Sequence, residues 1–140
     1  MNDDAGIALA LSEALKAVGR THPNPAVGAV VVKAGKIVST GFTSPAGGPH
    51  AEAIALERAG KRAKGATLYV SLEPCAHHGR TPPCTDAIIK AGIKRVVFSV
   101  KDPNPKVNGK GAKKLRAAGL EVVQGVRAHD AEKLNRPFFK

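Results

Sequence analysis

His50-Ala51-Glu52, Pro74-Cys75 and Cys84 are the residues of this sequence whose types and spacing suit them to chemistry. One imidazole and two thiolates make a three-donor metal site of the kind zinc takes in catalytic centres, with a fourth position open to water. A closed structural site would supply a fourth protein donor. His50 opens a predicted helix, where the positive dipole end favours the neutral imidazole that a metal requires. Cys84 opens another, where a lowered thiol pKa favours the thiolate. Glu52 lies two residues beyond His50 and is not needed as a ligand, which leaves it free to act as general base and acid on a metal-bound water. Taken singly, these residues have ordinary roles: a helix cap, two buried thiols, a solvated first-turn carboxylate. Their conjunction is the signal.

The elements that position them follow from periodicity and punctuation. Asp3 to Val18 reads as a helix with Ile7, Leu11, Leu15 and Val18 on one face, closed by Gly19. After the loop Thr21-His22-Pro23-Asn24-Pro25, residues 26–32 form a buried strand rich in valine, and Ala34-Gly35 turns it into a second strand, Lys36 to Phe42. A Gly- and Pro-rich loop over 43–49 leads to His50 and a helix from Ala51 to Ala59. A strand over Thr67 to Ser71 precedes the loop 72–83, and a helix over Cys84 to Ala91 ends at Gly92. The strand Lys94 to Val100, the helix Gly111 to Ala118, the strand Leu120 to Gly125 and the helix Ala128 to Asn135 complete the chain. A hairpin followed by alternating strands and helices predicts one mixed sheet with helices on both faces, its last strands parallel. Ligands bind such sheets at the carboxyl ends of parallel strands, and the loops with unusual residues fall there.

The 140 residues suit a single domain, large enough to bury about two-thirds of the unfolded surface. Apolar residues at 43% and charged residues at 24% exclude a disordered chain. No apolar run is long enough for a membrane span, and the acidic start Met1-Asn2-Asp3-Asp4 is unlike a signal peptide, so a cytoplasmic protein is expected. In that compartment two cysteines are thiols or metal ligands rather than a disulfide. The net charge of +11 implies an anionic partner, either nucleic acid or a phosphorylated small molecule. Nine of the 22 basic residues lie in 90–116 beside a single acid, Asp102, and about half of them, Lys113, Lys114 and Arg116 foremost, read as a solvated helix face. With aromatics at 4% and no tryptophan, the chain has few platforms for stacking bases, which counts against nucleic acid.

His-x-Glu on a helix, followed by Pro-Cys after a strand, is the signature of zinc-dependent deamination. The general pattern has two residues between the cysteines; here eight intervene, Ala76-His77-His78-Gly79-Arg80-Thr81-Pro82-Pro83. A loop of that length returns its end to the metal at small entropic cost, and Pro82-Pro83 stiffens the return. Together with Leu72-Glu73-Pro74-Cys75, Gly79-Arg80-Thr81-Pro82-Pro83-Cys84, His22-Pro23-Asn24-Pro25-Ala26-Val27-Gly28 and Asp102-Pro103-Asn104-Pro105-Lys106-Val107, the sequence resembles the deaminase domain of the riboflavin-biosynthesis deaminase/reductase family. The resemblance runs from about residue 6 to the C-terminus, with no departure at His50, Glu52, Cys75 or Cys84.

That resemblance implies a cytidine deaminase-like α/β fold, a three-layer α-β-α sandwich around a five-stranded mixed sheet. It implies hydrolytic deamination of 2,5-diamino-6-ribosylamino-4(3H)-pyrimidinone 5′-phosphate, with Zn2+ on His50, Cys75 and Cys84 and Glu52 moving protons from the metal's water to the ring nitrogen and the leaving amine. It also implies substrate contacts from Asn24, His77, Arg80, Asp102 and Asn104. The chemistry of these side chains agrees: Asn24 offers an amide that reads carbonyl and amine together, and Arg80 a fork of donors for a phosphate. Asp102 and Asn104 follow the fourth strand, where they can meet ribose hydroxyls or simply form a proline-framed turn. His22, His78 and His129 receive no role.

Residues 1–140 are expected to form one deaminase domain with no reductase domain after it. Self-association is expected, since deaminases of this fold commonly assemble, and a separate reductase is a conceivable partner; Phe138 and Phe139 can dock a partner or complete the core. Two rivals remain open at this level. One is a deaminase acting on tRNA adenosine or a free nucleobase, favoured by the charge. The other is a zinc-stabilised binding module without activity, against which the open fourth position and Glu52 argue.

Overall fold

The computed structural model describes residues 1–20, 25–45, 49–75, 84–100 and 109–134. Its elements, in chain order, are α1 (Asp3–Leu15), β1 (Gly28–Lys33), β2 (Lys36–Phe42), α2 (Ala51–Ala59), β3 (Thr67–Leu72), α3 (Cys84–Lys90), β4 (Arg95–Val100), α4 (Lys110–Ala117), β5 (Glu121–Gln124) and α5 (Ala128–Leu134). A short 3-10 turn over Gly60–Ala63, which the sequence pattern does not announce, extends α2.

The five strands form one sheet in the order β2-β1-β3-β4-β5. β1 runs antiparallel to both β2 and β3, whereas β3, β4 and β5 are mutually parallel, as the helical connections between them require. The hairpin closes in two residues between Lys33 and Lys36, with Ala34 at φ 53° and Gly35 at φ 76°. Two successive positive φ values define the turn whose twist matches a right-twisted strand pair.

α2, α3 and α4 line one face in sequence, α2 touching β1, β2 and α3, and α3 touching α4. α1 packs across β1, β3 and β4, and α5 against β4; an ion pair at 3.0 Å joins Asp4 of α1 to Arg127, the residue before α5. The core between the layers is built of Ile7, Val30, Val31, Leu68, Val70, Ile88, Val96, Val97, Phe98 and Leu115, all fully buried. Two glycines let helices sit directly on strands. A Cβ on Gly28 would stand 1.9 Å from the Ala10 carbonyl oxygen of α1, and one on Gly41 would stand 2.7 Å from that of Ala51 in α2.

One expectation is corrected. α1 buries Ile7, Ala10, Leu11 and Ala14, while Leu15 and Val18 are 62% and 47% exposed. At about 100° per residue, Leu15 sits roughly 80° round the helix from Ile7, beyond the buried stripe, and Val18 lies past the helix end. On the basic side, Lys113 and Arg116 are exposed as expected, whereas Lys114 pairs with Asp86 of α3. Among the described residues no helix is long and apolar enough to cross a membrane.

Candidate metal centre

Three places in the fold converge on one point. β3 ends at Leu72, and the chain then passes through buried Glu73 and Pro74 to Cys75. His50 is the N-cap of α2, at φ −76° and ψ 160°, with its side chain unused for capping and therefore free to face outward from the helix end. Cys84 is the first residue of α3. The close seat of α2 on Gly41, reinforced by the Ser39 hydroxyl donating to the Ala55 carbonyl at 2.6 Å, fixes the height at which His50 is delivered.

The ligating atoms of His50, Cys75 and Cys84 lie within 4.8 Å of one another. Nδ1 of His50 is 3.0 Å from Sγ of Cys84, and the Cys84 amide donates to Sγ of Cys75 at 3.5 Å. The Thr85 amide donates to the Cys75 carbonyl at 3.2 Å, so Cys75 is held by the start of α3. A tetrahedral zinc with one nitrogen and two sulfur ligands spaces those atoms about 3.5–3.8 Å apart, so the donor set fits the ion once His50 Nδ1 and Cys84 Sγ, now 3.0 Å apart, separate by about half an ångström. Neither cysteine is in a disulfide.

The electrostatics prepare the donors. The Cys84 thiol, hydrogen-bonded to Cys75, holds the latter's pKa down at about 4, with His50 and the Cys84 amide helping and burial opposing. Cys84 moves the other way, because it shares its proton with Cys75 and is itself buried. His50 is raised by its hydrogen bond with Cys75, against its partial burial. A divalent cation displaces the remaining protons from this cluster, since thiolate and neutral imidazole are its ligand forms.

Glu52, in the first turn of α2, is 5% exposed. Burial pushes its carboxyl up from the usual range, its own backbone amide partly offsetting this. A carboxyl kept easy to protonate beside a metal cluster is suited to carrying protons in both directions. Asn24, His77, Arg80, Asp102 and Asn104 lie outside the described residues, as do Phe138 and Phe139.

Residues without an assigned chemical role in the sequence brace this end of the sheet. The Thr43 hydroxyl accepts from the Val27 amide at 2.8 Å and donates to the Val27 carbonyl at 3.1 Å, and the Ser71 hydroxyl accepts from the Gly28 amide at 3.0 Å. Glu73 accepts hydrogen bonds from the amides of Gly109 and Ala112. Hydroxyl and carboxyl residues within otherwise apolar strand ends are the signal that marks them.

A family model for the cytidine and deoxycytidylate deaminase zinc-binding region matches residues 1–100. The riboflavin biosynthesis protein RibD of Aquifex aeolicus is 65% identical over 131 residues, which is 94% of this chain and 37% of that protein. RibD of Escherichia coli is 54% identical over 140 residues, 100% of this chain and 38% of that one. Among solved structures, Acinetobacter baumannii RibD superimposes with a TM-score of 0.96 at 49% identity, covering 99% of this chain and 39% of that chain. A Thermotoga maritima diaminohydroxyphosphoribosylaminopyrimidine deaminase/5-amino-6-(5-phosphoribosylamino)uracil reductase gives 0.92 at 50% identity, covering 98% and 40%. The chain thus spans 37–40% of the length of these relatives.

Proposed function

Because this chain belongs to the family of the cytidine and deoxycytidylate deaminase zinc-binding region, we propose that it is a zinc-dependent deaminase of 2,5-diamino-6-ribosylamino-4(3H)-pyrimidinone 5′-phosphate, the amino-pyrimidine step of riboflavin biosynthesis. The observation that carries the reading is buried Glu52, on the same helix start as His50 within a cluster of three protein donors. The likeness to RibD proteins over nearly the whole chain supports the substrate. Residues 1–140 act as one catalytic domain in the cytoplasm.

His50, Cys75 and Cys84 hold the zinc, which supplies Lewis acidity that makes water a nucleophile near neutral pH. Glu52 takes a proton from the attacking water and delivers it to the ring nitrogen next to the amino-bearing carbon. It then carries the second proton to the departing amine, so that ammonia leaves and a ring carbonyl remains. Burial serves both transfers by raising the carboxyl's affinity for a proton above that of an exposed glutamate. Asn24 reads the ring edge and Arg80 the phosphate; His77, Asp102 and Asn104 complete the substrate contacts.

The test is ammonia release from this substrate, run beside cytidine, guanine and tRNA, with zinc measured on the same sample. Turnover confined to the first, with about one zinc per chain, is the expected result. Glu52→Gln should keep the zinc and lose about 100- to 10,000-fold in kcat. Full zinc with turnover only on one of the other three substrates sinks the substrate assignment, and zinc with no turnover on any of them favours a binding module.

A further inference from the structure

We propose that Glu73 is a positioning residue for the metal centre, docking the Cys75 ligand loop onto the N-terminus of α4; the inference rests on the reading of His50, Cys75 and Cys84 as metal ligands. Glu73 is 3% exposed, and its amide donates to the Val100 carbonyl at 2.9 Å, carrying the β3–β4 pairing one residue beyond Leu72 and Val100. Its two carboxylate oxygens then divide. Oε1 accepts the Gly109 amide at 2.9 Å and Oε2 the Ala112 amide at 3.1 Å.

α4 needs this carboxylate from elsewhere. Its N-cap, Gly109, has no side chain to offer, and its first turn holds no acid, while Lys114 and Arg116 load its last turn. Helix N-termini leave amides unpaired and favour negative charge, and here both demands are met by a residue two positions before a metal ligand. The contact is also steric. A Cβ at Gly111 would stand 2.0 Å from the Pro74 carbonyl oxygen and 3.3 Å from Glu73 Cγ, so α4 lies directly on the peptide that leads into Cys75. On its other side Cys75 is held by the Thr85 and Cys84 amides of α3. The ligand loop is thus clamped between two helix starts, and Glu73 with Gly111 makes one jaw. Groups that orient ligands without touching the metal typically change its affinity by about 10- to 100-fold.

The experiment compares the full chain with Glu73→Ala, Glu73→Gln and Gly111→Ala, each well below its own melting temperature and with far-UV circular dichroism confirming the fold. Two readouts are taken: cobalt(II) affinity by chelator competition, and the sulfur-to-cobalt and d–d absorption bands. Glu73→Ala should bind cobalt about 10- to 100-fold more weakly with altered d–d bands. Glu73→Gln, which keeps the volume and one acceptor, should fall between it and the parent, and carries the test if the alanine variant does not fold. Gly111→Ala should perturb the same bands by pushing on Pro74. Unchanged affinity and spectra in every folded variant, with only the melting temperature lowered, would overturn the proposal. Failure of the parent chain to bind cobalt or zinc at all would overturn the metal reading itself, and this inference with it.

Discussion

Asp3 and Arg95 meet across a sequence separation of 92 residues, both carboxylate oxygens at 2.6 Å from the two terminal guanidinium nitrogens. The pair joins the first turn of α1 to the first residue of β4, at the end of the parallel strands opposite the metal cluster. Tyr69 adds its hydroxyl to Asp3 at 3.0 Å, and Arg95 also bonds Glu121.

This network makes stability depend on acid. Hydrogen bonding to Arg95, and then to Tyr69, holds Asp3 below its ordinary pKa against the opposing effect of burial. A carboxyl depressed in the folded state contributes stability that is fully present above its unfolded value of about 4 and is lost as pH falls through the folded value. Thermal melts of the parent and Asp3→Asn between pH 7 and pH 2.5 should show the parent's advantage constant down to about pH 4 and shrinking below it. An advantage that does not change with pH would contradict the assignment.

Cys84→Ser should remove a soft donor yet leave the fold, because Cys84, though buried, is not a member of the packed apolar cluster that includes Phe98 and Leu115. We expect zinc affinity to fall by about a hundredfold or more, with far-UV circular dichroism retained. Zinc retained at one per chain after chelator dialysis would remove Cys84 from the ligand set.

Ala34 sits at φ 53° in the hairpin turn, a conformation that costs a residue with a Cβ about 1–2 kcal/mol. Ala34→Asn, which tolerates that region, should raise stability by about 0.5–1 kcal/mol in denaturant unfolding. A loss of stability would show that the turn relaxes to another conformation.

Ile7→Ala and Leu15→Ala should separate sharply despite their common helix. The first empties a fully buried position and should cost about 2–5 kcal/mol, while the second trims an exposed chain and should stay within about 0.5 kcal/mol. Equal costs would mean that the outer surface of α1 is covered in solution.

How much of this was legible in the sequence depends on the range of the interaction. α2 and β2 begin and end where glycines and side-chain periodicity place them, since those signals are local. The cluster of His50, Cys75 and Cys84 was also legible, because metal coordination restricts ligands to few residue types. Leu15 was misplaced because a fourfold step drifts round a helix of 3.6 residues per turn, and only packing against the sheet reveals where the buried stripe stops. Glu73 was visible as a letter beside Pro74 and Cys75, but its task is set by Gly109 and Ala112, 36 and 39 residues away. Nothing local encodes that meeting.

The strand order has a consequence for how the molecule is made. β1 and β2 pair through a two-residue turn, then β3 joins the free edge of β1, β4 that of β3, and β5 that of β4. Each strand emerging from a ribosome therefore extends one growing margin, and none has to be threaded between neighbours already paired. All three ligand positions, 50, 75 and 84, have been synthesised before either β4 or β5 exists. The nascent chain carries the three candidate metal donors of the described residues while β4 and β5 are still to come.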